Sequence, residues 1–579
     1  MQKEKYSSIL LTVVLLLQTL IPAGAQDSAV VTAMEKELNR SFSKFRSIKD
    51  APAYFIGYRL YDTETLDLAA SYGALSIEAA PKHSRTLNID LRVGSPLLDN
   101  THKIRDDLKP NLAALISQAM ASIPIEDDEL AVRQAIWVKT DGSFKNAQKH
   151  YAIVKANQDL QTEEEDTSED FSIEKQCVYS GENGQSMSLS VDQKSWEDKV
   201  KRLSAIYKNY PNILHSYVDF SASKTHRYFV NTEGSKVEDK NLHYRLYTRA
   251  ETLAPDGMKL WLYDGAEVDT LDKLPPEEQF AQTVRDVANT LEKLRKAPLA
   301  EPYTGPAILN PKAAGVYFHE TLGHRLEGSR QKDMDEGRTF TKKLDQQILP
   351  TFISVLDDPT CGEFAGKSLN GFYKIDDEGV PAQKVTLVDH GILKTFLTSR
   401  LPVKGCNHSN GHGRCAPGYA PMARQGNLMV IADKHIPATD LRLALIAEAK
   451  KQAKPYALVF DQIAGGFTFT QTATPQTFKL MPLLVKRVYV DGKPDELIRG
   501  ADLVGTPLTS LENIMQAADD TDVFNGSCGA QSGWVPVSAS SPSLLIKTIE
   551  VERKANFQQK PPILSAPLTE NKTLTNETK

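Results

Sequence analysis

The sequence predicts an α+β protein with two domains, a mixed α/β first domain and a largely β second domain. Three observations predict it. Runs of β-favouring residues at 54–61 and 85–93 read as strands separated by polar and turn-forming residues. Residues 275–295 have the apolar spacing, acidic start and basic end of a long amphipathic helix. Beyond Pro298, Pro302 and Pro306 strand-like runs outnumber helical ones, which puts the boundary near residue 300.

Taken in order, Lys3 and Lys5 precede an apolar run at 9–17, then Pro22 and the small-residue site Ala23-Gly24-Ala25. Residues 1–25 therefore read as a secretory signal peptide. An uncleaved anchor is the alternative, but the run falls short of the ~20 apolar residues a span needs. The expectation is an exported protein, periplasmic or extracellular, with no stable membrane span in its mature form. The first domain, residues 26–300, should open with a helix at 32–45 and continue as strands at 54–61, 67–72 and 85–93. Helices are expected at 112–120, 128–138 and 195–208, and strands at 217–220 and 227–230 before a turn at Glu233-Gly234. Glu163-Glu164-Glu165-Asp166 with Glu169 and Asp170 read as a solvated acidic loop. In the second domain, residues 301–556, a helix at 441–454 is stopped by Pro455. Strands at 483–490 and 495–498 flank the hairpin pair Asp491-Gly492. Residues 557–579 are rich in Pro, Thr and Asn and should be a disordered tail.

Composition narrows the function. Of 579 residues, 41% are hydrophobic and 25% charged, the balance of a folded globular protein. Lys+Arg 68 against Asp+Glu 74 gives a net charge of -6. Removing Lys3, Glu4 and Lys5 with the leader makes it about -7, which argues against gripping nucleic acid through bulk charge. Five cysteines are too few for a disulfide-built scaffold.

The sharpest local signal is His319-Glu320-Thr321-Leu322-Gly323-His324. Asn310 and Pro311 are natural helix-start residues, and Val316-Tyr317-Phe318 leads into the motif, so a buried helix is expected. Two His with a Glu beside the first suit a zinc hydrolase: imidazoles hold the metal and the carboxylate stays free to take a proton. A chance match is expected about 0.02 times in a chain with this histidine content, so coincidence is disfavoured. The two His are five apart rather than four, which leaves them ~140° apart on a regular α-helix. A π-type widening at Gly323 would bring them into line. At least a third protein ligand is needed. Glu327 is available one turn on, and among distant residues Cys528 stands out in what reads as a Gly-flanked turn, Phe524-Asn525-Gly526-Ser527-Cys528-Gly529.

Residues 315–328 (GVYFHETLGHRLEG), 355–360 (VLDDPT), 375–382 (IDDEGVPA) and Cys528-Gly529 with its downstream strand resemble the TldD/PmbA family of zinc proteases. The resemblance runs from about Pro306 to Arg553. It implies that His319, His324 and Cys528 bind zinc and that Glu320 is the catalytic glutamate. It also implies a dimer enclosing the site, either a homodimer or a heterodimer with a related chain, and a substrate that is an unfolded or flexible peptide threaded in as an extended strand. One branch of the family lacks the metal motif and partners the active chain; this sequence keeps the whole motif and resembles the active branch. It departs from the family's best-known members, which are cytoplasmic, in its signal peptide, its longer first domain and its acidic loop.

Two other clusters carry blander readings. Cys406, His408, His412 and Cys415 fall within ten residues. In an exported chain a Cys406–Cys415 disulfide is a better reading than a metal site. Asp357-Asp358 and Asp376-Asp377-Glu378 precede Pro359 and Gly379 and read as turn-forming residues. The functional expectation is a zinc metallopeptidase with Glu320 as general base. The rivals are a non-catalytic peptide-binding scaffold and a zinc hydrolase or amidase acting on a non-protein substrate.

Overall fold

Long antiparallel strands dominate the first half of this computed structural model, which describes residues 28–77, 81–103, 121–158, 166–181, 189–333, 335–554, 562–564 and 566–568. The expected signal peptide, the helix at 112–120, residues 163–165 of the acidic stretch and most of the tail lie outside the described residues. Strands β1 (Ala53–Ser71), β2 (Lys82–Ser95), β3 (His215–Asn231), β4 (Lys236–Leu253) and β5 (Lys259–Val268) run β2–β1–β3–β4–β5 within a nine-stranded sheet. The break expected between residues 61 and 67 is absent, because the polar middle of β1 is paired on both sides. Asp62 lies opposite Arg85 and His226, and Glu64 opposite His83 and Lys224. Ion pairs Asp62–Arg85 (2.6 Å) and Glu64–Lys224 (2.7 Å) hold that middle together. For the same reason the two strands expected at 217–230 are one.

Ile56, Tyr58 and Leu60 share one face of β1 with Leu66, Leu68 and Ala70, and a separate pair of helices covers each group. Helices α1 (Ala29–Phe45) and α2 (Glu129–Gln158) cover the first. Helices α3 (Gln193–Ala205) and α4 (Glu277–Lys296) cover the second. Helix α2 outruns its expected end because Phe144, Ala147 and Val154 continue the buried face of Ile136 and Thr140 past Asp141-Gly142.

From Ala300 onward the chain builds a separate core. Strands β6 (Tyr303–Leu309), β10 (Tyr456–Thr468), β11 (Phe478–Tyr489), β12 (Ala501–Gly505) and β16 (Leu544–Arg553) form a closed ring, since β6 pairs with both β10 and β16. The short strand β13 (Ile514–Ala517) extends β16. A second sheet holds β7 (Ile353–Asp357), β8 (Val385–Asp389), β9 (Asn427–Ala432), β14 (Asp522–Ala530) and β15 (Gly533–Ser541), in the order β8–β7–β9–β15–β14. Helix α5 (Pro311–Thr321) packs between the ring and this sheet, against β10 on one side and the β14–β15 hairpin on the other. Helix α6 (Ala438–Lys451) covers the outside of β6 and β10. Among the described residues no helix is long and apolar enough to cross a membrane.

The two halves meet on the opposite face of the first sheet. Tyr61 and Arg227 each donate to the Asp377 carboxylate at 2.8 Å, while Arg59 donates to the Asp377 carbonyl. Arg227 also donates to the carbonyls of Ile375 and Asp376 at 2.8 Å. The acidic triplet is thus a turn, as expected, with Asp376 Oδ1 accepting from the N–H groups of Glu378 and Val380 at 2.9 Å. It is also the buried post onto which the first sheet docks.

The expected Cys406–Cys415 disulfide is not formed; all five thiols are free. Cys406 lies beside Thr395, whereas the Cys415 backbone N–H is held by Asp377 and its sulfur lies beside Tyr61. The docking post claims Cys415.

Candidate metal centre

The helix carrying the motif begins at Asn310 and Pro311, as the sequence predicts, but Asn310 does not cap it. Its side chain donates to Asp461 at 2.6 Å, tying the helix start to β10. From Ala313 to Thr321 every residue of α5 is buried. Gly315 faces β15 so closely that a Cβ there would stand 2.7 Å from the Ala539 carbonyl oxygen. His319 lies one turn further along the same face of the helix. The missing side chain at 315 therefore lets the β14–β15 hairpin, with Cys528 on it, come within reach of His319.

The five-residue spacing is not solved by a π-type turn. Helix α5 ends at Thr321, Leu322 departs to φ -115 and ψ -55, and Gly323–Leu326 form a tighter 3-10 turn. Ending one helix and starting a tighter turn swings His324 back towards His319, leaving the rings 4.8 Å apart and nearly perpendicular at 79°. Gly323 serves close approach rather than backbone freedom: a Cβ there would stand 1.9 Å from Gln425 Oε1.

His319 Nε2 lies 3.2 Å from Cys528 Sγ, and so does His324 Nε2. All three donor atoms lie within 4.8 Å of one another, and all three residues are buried. Ligands ~2.0–2.3 Å from a tetrahedral zinc stand roughly 3.5 Å apart, so the donor set fits such an ion in spacing and in chemistry. Burial opposes ionisation of Cys528, yet the imidazoles of His324 and His319 hold its thiol well below the ordinary range. Glu320 is buried beside these groups, and its Oε2 has no hydrogen-bond partner. Burial raises its carboxyl above the ordinary range against the pull of His324 and His319.

Glu327, the other ligand candidate, has a different role. It is fully buried, with Oε2 at 3.2 Å from His324 Nδ1 and 2.9 Å from Arg330 Nε. Its second oxygen lies 3.4 Å from Arg424 Nε. Glu327 thus sits behind the His324 ring, on the side away from Cys528, and is not among the three donor atoms brought together. Sequence reasoning missed this role and missed Arg330, Arg424 and Gln425; the three-residue step from His324 to Glu327 was the only available signal.

The Cys406–Cys415 segment does not assemble a site. His408 points outward beside Glu174 (3.5 Å), while buried His412 lies 3.3 Å from Asp357. Asp357 is buried and accepts from the N–H groups of Gly426 and Asn427. Among the described residues, His319, His324 and Cys528 are the one group arranged to hold a metal.

A closed ring of strands, a helix between two sheets and a buried His–His–Cys cluster characterise the second half of the chain. A sequence profile of the PmbA/TldA metallopeptidase C-terminal domain matches residues 302–553. Over those residues the chain is similar to the TldD/PmbA family. A metalloprotease of Archaeoglobus fulgidus is 28% identical over 263 residues, 45% of this chain and 56% of that protein. The metalloprotease TldD homolog of Haemophilus influenzae is 29% identical over 255 residues, 42% and 48% of the two chains. The zinc metalloprotease TldD homolog of Saccharolobus solfataricus is 25% identical over 295 residues, 49% and 61%. The chain thus spans about half the length of these relatives. In three dimensions it is similar to TldE from Thermococcus kodakarensis, with a TM-score of 0.57, 14% identity, and coverage of 90% and 99%. At that identity the likeness shows the fold alone.

Proposed function

We propose that the protein is a zinc-dependent peptidase that cleaves unfolded or flexible peptides. The carrying observation is the buried His319–His324–Cys528 cluster with Glu320, one oxygen unpartnered, beside it. When bound, zinc supplies Lewis-acid polarisation of the scissile carbonyl and lowers the pKa of the attacking water. Glu320 takes the proton of that water at its free oxygen and passes it to the leaving amine. With Cys528 as a thiolate the donor set would carry one more negative charge than three neutral imidazoles, which would place more of the proton transfer on Glu320. Helix α5 fixes His319 and Glu320 together, while the hairpin fixes Cys528.

An extended substrate is supported by β14, which carries Cys528 and forms the outer edge of its sheet. An edge strand offers unpaired N–H and C=O groups to an incoming strand. We also propose that residues 1–25 direct export and that a second copy or a related chain completes the site. A related partner is what the resemblance of residues 306–553 to the TldD/PmbA family implies. The names of the relatives favour a peptidase over a scaffold or an amidase on non-protein material.

The test is a digest of denatured casein and of a folded protein by the purified chain, with and without a chelator. Chelator-sensitive cleavage, restored by zinc and confined to the denatured substrate, is expected. Cleavage unaffected by metal removal contradicts the proposal.

A further inference from the structure

The zinc donors come from two segments more than two hundred residues apart, α5 with its 3-10 turn and the β14–β15 hairpin. Something must set the hairpin's distance from His324. Arg424, just before β9, is fully buried and reaches both segments. Its Nη2 donates to the carbonyl oxygen of Cys528 itself at 2.7 Å. Its Nη1 donates to Ser532 Oγ at 2.8 Å and to the Gly533 carbonyl at 3.1 Å, across the hairpin turn. Its Nε lies 3.4 Å from Oε1 of Glu327, whose other oxygen faces His324 Nδ1. The guanidinium fork therefore spans the gap between the carboxylate that orients one ligand and the backbone that carries another.

We propose that Arg424 is a positioning residue that fixes the Cys528 thiolate relative to the His324 imidazole. The proposal rests on the zinc reading above. It follows from the directions of the three nitrogens. Removing the fork frees the hairpin turn and takes the ion-pair partner away from Glu327 Oε1, a buried oxygen that accepts no hydrogen bond. Glu327 is then balanced by Arg330 and His324 alone. Both ligands lose their alignment together, although Arg424 touches neither imidazole nor thiol. A lysine at this position keeps the charge but cannot serve all three directions.

The test uses the full-length chain. Zinc affinity is measured by competition with a chromophoric chelator, and cobalt(II) is substituted to read the thiolate-to-cobalt charge-transfer band. Arg424→Gln should weaken zinc binding about 10–100-fold, as loss of groups that orient ligands does, and should shift that band. Arg424→Lys should recover part of the affinity, and Ser532→Ala, which removes one acceptor, should lose a few-fold. Glu327→Gln combined with Arg424→Gln should bind no more weakly than the worse single variant, because both break one chain of contacts. Zinc affinity within about 3-fold of wild type with an unchanged cobalt spectrum, or additive losses in the double variant, overturns the proposal. If Arg424→Gln does not fold, wild-type affinity and spectrum in both Arg424→Lys and Ser532→Ala overturn it. A wild-type chain that takes up neither zinc nor cobalt overturns the zinc reading first, and this proposal with it.

Discussion

Glu327 Oε2 lies 3.2 Å from Nδ1 of His324, which leaves Nε2 as the ring nitrogen facing Cys528. A carboxylate that takes the Nδ1–H fixes the tautomer, so the lone pair points into the cluster. Two buried glutamates thus flank the His–His–Cys cluster, each with one oxygen that accepts no hydrogen bond, but with different charged neighbours. Glu327 Oε2 accepts from Arg330 and faces His324, and its Oε1 has Arg424 at 3.4 Å as an ion-pair partner, whereas Oε2 of Glu320 has no hydrogen-bond partner.

That difference predicts a difference in effect. Glu320→Gln should lower the rate of peptide hydrolysis about 10²–10⁴-fold while zinc content stays at the wild-type level. The check is kcat on a denatured protein alongside metal analysis of the same sample. Activity within a few-fold of wild type at equal zinc would remove Glu320 from the role of general base.

Gly315→Ala should loosen the centre without touching a ligand. The added methyl meets a backbone oxygen, that of Ala539, so the hairpin must move and carry Cys528 away from His319. Overpacking of this kind typically destabilises by about 1–3 kcal/mol. Calorimetry should show the loss, and chelator competition should show weaker zinc binding. A variant with wild-type affinity would mean that the hairpin is positioned by other contacts.

The post between the two halves predicts a defect of stability alone. Burial opposes the charge on Asp377, and Arg227 and Arg59 hold its carboxyl below the ordinary range. Asp377→Ala leaves both guanidinium groups buried beside a missing partner, a change that costs about 3–5 kcal/mol. Denaturant unfolding should show that loss, with zinc content per folded chain unchanged. Wild-type stability would contradict the assignment of Asp377 as the docking anchor.

Two neighbouring carboxylates give a pH dependence. Burial first, then the charge of Glu378, pushes Asp376 up to about 8, and burial raises Glu378 as well. The folded chain therefore keeps a proton that the unfolded chain gives up near pH 4. Stability from this pair is fully present below that value and is lost as pH rises towards about 8. Glu378→Gln should flatten the decline, so its stability relative to wild type improves from about pH 5 to about pH 8. Parallel stability curves for the two proteins would rule this out.

Local signals were legible in the sequence wherever one segment decides the outcome. The N-terminal Pro311 and the acidic start and basic end of α4 each read correctly from neighbouring residues. What was hidden depends on partners far away in the chain. The middle of β1 looks like a break until Arg85 and Lys224 lie opposite it. The five-residue histidine spacing suggested a wider helix, whereas Gln425 against Gly323 accommodates a tighter one. Cys415 sits by Cys406 in sequence, but Asp377 and Tyr61 hold it elsewhere. Arg424 carries no local signal, since its importance lies wholly in what it reaches.

The most direct measurement is zinc X-ray absorption on the purified, zinc-loaded chain, paired with Cys528→Ser. A zinc shell with one sulfur at about 2.3 Å and nitrogen donors at about 2.0–2.1 Å is predicted. The Cys528→Ser chain should lose both the sulfur contribution and most of its bound zinc. A wild-type shell of nitrogen and oxygen alone, or undiminished zinc binding in Cys528→Ser, would contradict the centre described by His319, His324 and Cys528.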